Sequence, residues 1–266
     1  MPGAADTRSC GAAPLEDARA AQTTVQHPVD KVRIRFRKDG PLRLLSHHDL
    51  MRTFERLLRR SELPFHRSQG FHPKPRLIFA LALPLGVVGR EEVVELELQA
   101  VLPLEEIHAR LAQKSPPGLD ILSVRRIPVN VSAQVCRLTY ALPVPAERVP
   151  DLRRRLADVL AAPTCWVDRR RPHSRQTGRR LDVRPFLVDL RLREGASQDG
   201  NRREAAEIYR FAQNEEATDS TLEMVFRLTS TGTARPDEVL GLLGLEDLLD
   251  AGVVLERSRL ELKDEA

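Results

Sequence analysis

The chain's first clear pattern is "KVRIRFRK", where Val32, Ile34 and Phe36 alternate with Arg33, Arg35 and Arg37. A two-residue period predicts a strand with one buried face. "KDGP" then supplies a turn. The period changes in "SHHDLMRTFERLLRRS": Leu50, Phe54, Leu57 and Leu58 recur at helical spacing, with Arg52, Arg56 and Arg59 nearly opposite. Ser46 and Asp49 stand in the S-x-x-D spacing of a helix cap. A rotation of about 100° per residue puts His47 beside the apolar face and His48 outward. "RLIFALALPLGVVGREEVVELELQ" predicts two strands joined around "LGVVGRE". In the second, Glu95, Glu97 and Gln99 form an acidic face opposite Val94, Leu96 and Leu98. "PLEEIHARLAQKSPPGL" predicts a helix ended by a Pro-Gly break, and "DILSVRRIPV" a further strand. The order β-α-β-β-α-β is that of the ferredoxin-like sandwich, four antiparallel strands with two helices on one face.

The pattern then restarts. "CRLTYALPV" predicts a strand, "ERVPDLRRRLADVLAA" a helix, and "TCWVDRR", "RRLDVRPFLVDLRLRE" and "TLEMVFRLTS" one strand each. "RPDEVLGLLGLEDLLDAG" predicts a helix with Pro236 in its first turn, followed by Asp237 and Glu238. "VVLERSRLEL" closes the cycle as a strand. The expected fold is α+β, with two ferredoxin-like antiparallel sandwich halves, the second irregular. Residues 1–30 are expected to be a disordered lead-in, 31–131 the first half and 132–266 the second, with a basic loop at 168–184 and a polar insertion at 194–220. No residue-level repeat relates the halves.

Composition narrows the class. A chain of 266 residues, 41% of them hydrophobic, can build one large core or two ordinary ones. No apolar run approaches the roughly 18 residues of a membrane span. The first 30 residues lack the basic start and apolar stretch of a secretory signal. Cys10, Cys136 and Cys165 lie far apart, so no disulfide framework, zinc site or iron–sulfur site is written here, and a cytoplasmic location is expected. The formal net charge is only +4, but its positive part is mainly arginine, which forks two N–H donors onto phosphate or carboxylate. GC-rich coding would give the same composition, so distribution has to decide.

Basic residues concentrate in two places. In "SQGFHPKPR", Gly70 permits a positive φ or the close approach of another chain. Pro73 and Pro75 stiffen the loop and hold Phe71-His72 and Lys74 extended. Proline has no N–H, so an anion would be held by the side chains of His72, Lys74 and Arg76. Arg37, Lys38, Ser46, His47, Gln69 and Gly70 complete that candidate neighbourhood. Packing of a rigid loop against the sheet is the other reading. The second concentration, "DRRRPHSRQTGRRLDVRP", carries Arg169, Arg170, Arg171, Arg175, Arg179, Arg180 and Arg184 among Ser174, Gln176, Thr177 and Gly178. It is either a phosphate-tracking loop or a solvated face. With 4% aromatic residues no RNP-type stacking sheet is visible, so nucleic-acid contact is expected at phosphate and shape. His47, His48, His66 and His72 cluster in sequence without H-E-x-x-H or H-x-H spacing. No metal, cofactor or catalytic residue is assigned, and GxGxxG, P-loop, GxSxG and CxxxCxxC patterns are absent.

The segment from Val32 to Leu98, with "KDGPLRLLSHHD", "SQGFHPKP" and "LPLGV", resembles the bacterial radical-SAM-associated family known as domain of unknown function 2344. The matching residues are Lys38, Gly40, Ser46, His47, Asp49, Ser68, Gln69, Gly70, Phe71, His72, Pro73, Pro75, Asp182 and Pro236. His48 stands where the family pattern is apolar. The resemblance implies an auxiliary subunit of a separately encoded radical S-adenosylmethionine enzyme, with RNA or the ribosome as a further partner held through basic loops. One rival is a metal-independent endoribonuclease using His47 or His72 as acid or base. The other is a protein-binding scaffold.

Overall fold

A computed structural model describes residues 30–68, 71, 73–169, 179–194 and 220–265. Residues 1–29 of the expected lead-in, Gln69, Gly70, His72, the middle of the basic loop with Arg170, Arg171 and Arg175, and the body of the polar insertion lie outside the described residues, whereas Asp30, expected to end the lead-in, is buried as the first residue of the first strand. The described chain is a mixed α+β fold with five α-helices and a mainly antiparallel sheet. None of these helices is long and apolar enough to cross a membrane.

The N-terminal elements are β1 (Asp30–Lys38), α1 (His47–Arg60), β2 (Leu77–Phe79), β3 (Val88–Leu98), α2 (Leu104–Lys114) and β4 (Leu119–Arg126). The C-terminal elements are β5 (Val135–Val144), α3 (Val149–Ala161), β6 (Trp166–Arg169), β7 (Arg179–Asp182), β8 (Leu187–Glu194), β9 (Ser220–Arg227), α4 (Pro236–Leu243), α5 (Glu246–Asp250) and β10 (Glu256–Leu262). The first strands lie in the order β4-β1-β3-β2 and the last in the order β10-β5-β9-β8, antiparallel at every pairing. The two sets join where β10 runs parallel to β3, Glu256 opposite Val88 and Arg257 opposite Gly89. β6 and β7 form a separate two-stranded ribbon.

Each helix covers its sheet as the periodicity requires. Leu50, Phe54, Leu57 and Leu58 of α1 are buried on Val32, Ile34 and Phe36 of β1 and on Val94, Leu96 and Leu98 of β3, with Ile107 and Leu111 of α2 beside them. Phe36, Phe54 and Phe79 meet edge to face, with centroids 4.9, 5.3 and 6.1 Å apart. A second core joins β5, β8, β9 and β10 to α3 and α4 and takes in Leu83, Val87 and Val93.

Several expected elements change form. "RLIFALALPLG" keeps only three strand residues, and β3 instead begins at Val88, inside the stretch expected to be a connection. The intervening chain runs past Pro84, which has no N–H for a ladder, and turns Leu83 and Val87 into the second core. "RRLDVRPFLVDLRLRE" is two strands in different sheets. Asp182 Oδ1 accepts from the backbone N–H groups of Cys165 (2.7 Å) and Arg184 (3.0 Å), and a 3-10 turn at Arg184–Phe186 containing Pro185 separates β7 from β8. The last helix divides at Gly244, whose φ of 66° is open to glycine and strained for other residues.

The acidic strand face is a further correction. Arg33 lies opposite Glu95 and Lys31 opposite Glu97 across the β1–β3 ladder, and this face is covered as well. Arg33 Nε and Nη2 donate to Glu95 Oε1 at 3.0 and 2.9 Å, and Lys31 Nζ is 2.8 Å from Glu95 Oε2. Charges that alternate with apolar residues along each strand therefore pair between strands.

Candidate functional site

The α1 start is built as its spacing predicts. The Ser46 hydroxyl accepts from Asp49 N–H at 3.2 Å and donates to Asp49 Oδ2 at 2.7 Å. This fixes the first turn and seats His47 with its ring edge-on to Phe79, centroids 5.3 Å apart. His48 is exposed. Burial, with smaller contributions from the charges of His48 and Lys38, lowers the His47 pKa below its ordinary value. Its Nδ1 is buried without a hydrogen-bond partner among the described residues.

Beneath this turn lies a charged interior that sequence reading missed. Lys38 ends β1 fully buried, its ammonium directed at the carbonyls of Leu45 (3.3 Å) and Arg43 (3.4 Å). Burial lowers its pKa, the charge of Glu92 opposing. Glu92 of β3 is held by Arg257 of β10 through Nε–Oε1 at 2.7 Å and Nη2–Oε2 at 2.5 Å. Arg257 also donates to the Ala82 carbonyl at 3.2 Å. Gly89 makes room for this pair: a Cβ there would stand 2.5 Å from Glu92 Cγ. Burial raises the Tyr140 phenol pKa against the neighbouring Arg257 charge. By its parity in the strand Glu92 falls with the apolar Val94, Leu96 and Leu98, and Arg257 lies 165 residues away, so no local signal couples the two.

The described residues at either end of the SQGFHPKP stretch are stapled together as a hairpin stem, Arg67 bridging Pro75. Ser68 N–H donates to Lys74 O at 2.8 Å, Lys74 N–H to Ser68 Oγ at 3.1 Å, and Arg76 N–H to His66 O at 2.9 Å. The stem is laid on β3 by the His66 N–H to Glu97 O bond of 2.8 Å. Phe71, between the two arms of the stem in sequence, is fully exposed at a relative accessibility of 102%. Lys74 Nζ stands 3.9 Å from Glu55 of α1, and Arg76 donates to Glu97 at 3.2 Å. The structure thus brings Ser46, His47 and the hairpin to neighbouring parts of one sheet edge, with Phe79 of β2 between.

The other candidate anion contacts fall elsewhere. Arg37 is engaged by Asp120 at 2.6 Å and Asp39 at 3.1 Å, and Lys38 is interior. Arg184 donates to the carbonyls of Leu160, Ala162 and Leu187 at the end of α3. Arg179 and Arg180 are exposed on β7, away from the hairpin. Gln69, Gly70 and His72 lie outside the described residues.

A third charged cluster ties the C-terminal segment across β1. Arg33 donates to Asp264 at 2.8 Å and to Glu265 at 2.9 Å, and Glu265 also receives Arg35 and Arg125. Burial alone would raise the Glu265 pKa, but hydrogen bonds from Arg35 and Arg33 outweigh it and hold the carboxyl below its usual value. Its contribution to stability is therefore complete above the unfolded value of about 4.3 and is lost as pH falls through the lower folded value. Glu265→Gln should lower the urea midpoint at pH 7 and flatten its decline below about pH 4.3. An acid limb identical to that of the unaltered protein would remove this assignment.

Fold and site together define a mixed α+β protein in which interior ion pairs join two strand sets and a stapled hairpin displays one aromatic residue. The chain belongs to the family described as an uncharacterized protein conserved in bacteria, domain of unknown function 2344, which matches residues 31–236. No curated protein matches the chain. Among solved structures, the crystal structure of an unknown protein from Galdieria sulphuraria is 14% identical over 88% of this chain and 98% of that one, with a TM-score of 0.23. A likeness that slight carries no argument.

Proposed function

We propose that the protein is a non-catalytic auxiliary subunit, working in the cytoplasm, that docks a separately encoded radical S-adenosylmethionine enzyme through the Phe71 hairpin. The observation that carries this reading is Phe71 itself: a fully exposed aromatic ring on a stem pinned by three hydrogen bonds. Burying such a ring is worth about 1.5–3 kcal/mol, and the stem residues on either side of it are already paired before binding. Aromatic anchors of this kind dominate protein interfaces. Two ferredoxin-like sandwiches form the support in this reading, in keeping with the matching strand orders β4-β1-β3-β2 and β10-β5-β9-β8. Phosphate gripping at the same place is the weaker reading, because Arg37 and Arg76 already face carboxylates and Lys38 is enclosed.

The test is co-purification with the radical S-adenosylmethionine protein encoded beside it, at high salt. Retention is expected for the unaltered chain. Phe71→Asp should weaken it by about tenfold or more without moving the melting temperature, since the ring is fully exposed among the described residues. Failure of the unaltered chain to bind, or full binding by Phe71→Asp, would sink the proposal.

A further inference from the structure

Most arginines of known position in the N-terminal strands face carboxylates, but the β6–β7 ribbon differs. Trp166, the only tryptophan of the chain, is 49% exposed on β6, and the Arg180 guanidinium lies 5.0 Å from its ring centroid. The two residues share one face of the ribbon because Trp166 pairs with Asp182 and Asp168 with Arg180 across it. The opposite face is fastened down. Val167 and Leu181 pack on the second core, and Arg169 donates to Glu238 at 2.5 and 2.7 Å and to Thr233 O at 2.8 Å. Trp166 is thus a half-open indole on a rigid platform, not the tip of a loose loop.

Charge points the same way. Among the described residues no carboxylate lies within ion-pair distance of Arg180, although the exposed Asp168 stands opposite it in register; Arg179 pairs with Arg169 on the other face. Asp182 is turned to the backbone N–H groups of Cys165 and Arg184. The Arg184 guanidinium meets three main-chain carbonyls at the ribbon's base. A ligand for this face should offer a flat π-surface to Trp166 and negative charge to Arg180, which meets no carboxylate among the described residues. Single-stranded nucleic acid offers both: its bases stack on aromatic rings and on guanidinium planes, while its phosphates neutralise the cations. A dry protein interface would leave the same arginine desolvated unless it brought its own acids.

We infer that the outer face of the β6–β7 ribbon binds single-stranded nucleic acid, with a base stacked on Trp166 and the Arg180 guanidinium beside it facing the phosphate. This extends beyond the docking proposal and does not depend on it, since the hairpin lies on the other strand set. The probe is the full chain titrated with oligouridylate and oligoadenylate, read by tryptophan emission, which comes from Trp166 alone. Saturable quenching that weakens steeply with salt is expected. Trp166→Ala should keep its circular dichroism spectrum and lose about tenfold to a hundredfold affinity for a labelled oligonucleotide. Arg180→Ala should flatten the salt dependence, whereas Phe71→Asp should change nothing. Three outcomes overturn the inference: no quenching at low salt, oligonucleotide affinity indifferent to Trp166→Ala, or quenching by the radical S-adenosylmethionine protein and not by nucleic acid.

Discussion

Arg257→Met is expected to lower the free energy of unfolding by about 3–5 kcal/mol, the cost of leaving a buried carboxylate without its partner. Arg257 is 1% exposed and Glu92 2%, so water cannot replace the missing guanidinium. The pair also spans the parallel β3–β10 junction, where, among the described residues, the two strand sets are joined by strand pairing. Lys38 is close enough to Glu92 to feel its charge and will supply part of the lost compensation, which places the effect toward the lower end of that range. Replacing both partners, Glu92→Leu with Arg257→Met, removes the unpaired charge and should recover much of the loss. Urea unfolding of the two single variants and the double variant gives the coupling directly. A single variant within about 0.5 kcal/mol of the unaltered protein would show that the pair is dispensable, as the small effects typical of surface sites are.

Phe54→Ala should cost a similar amount by a different route, about 3–5 kcal/mol from lost transfer energy and the cavity left behind. Phe54 is fully buried between Phe36, at 4.9 Å, and Phe79, at 5.3 Å. Phe79 in turn is the edge-on neighbour of His47, so relaxation of this ring will be felt at the candidate site. As Phe79 shifts into the space and water reaches the imidazole, the lowered His47 pKa should rise toward its ordinary value. Calorimetry reads the first effect and an NMR titration of the His47 ring the second. A loss under 1 kcal/mol would mean that α1 does not depend on this aromatic contact.

What could be read without the fold follows from how local each signal is. The cap at Ser46 and Asp49 acts over three residues, and the α1 face of Leu50, Phe54, Leu57 and Leu58 over two turns, so both stand as their spacing requires. Breaks inside elements were less visible. Val183 and Pro185 sit in a stretch that alternates like a single strand, and only the bond from Cys165 N–H to Asp182 shows why the chain turns there. Phe71 was noted for its loop, but the exposure of its ring is a property of the folded hairpin. Trp166 was passed over because aromatic residues are sparse, though one ring beside one arginine is enough for a stacking surface.

The amino-acid order by itself determined most of the strands and the amphipathic helices, because propensity, capping and hydrophobic period act between residues a few positions apart. Tertiary structure alone decided what the charges do. Arg33 meets Glu95 across 62 residues and Glu92 meets Arg257 across 165, so charges that alternate with apolar side chains are drawn inside as pairs. Such pairing depends on which strands become neighbours, and strand neighbourhood is set by the packing of the two cores over the whole length of the chain.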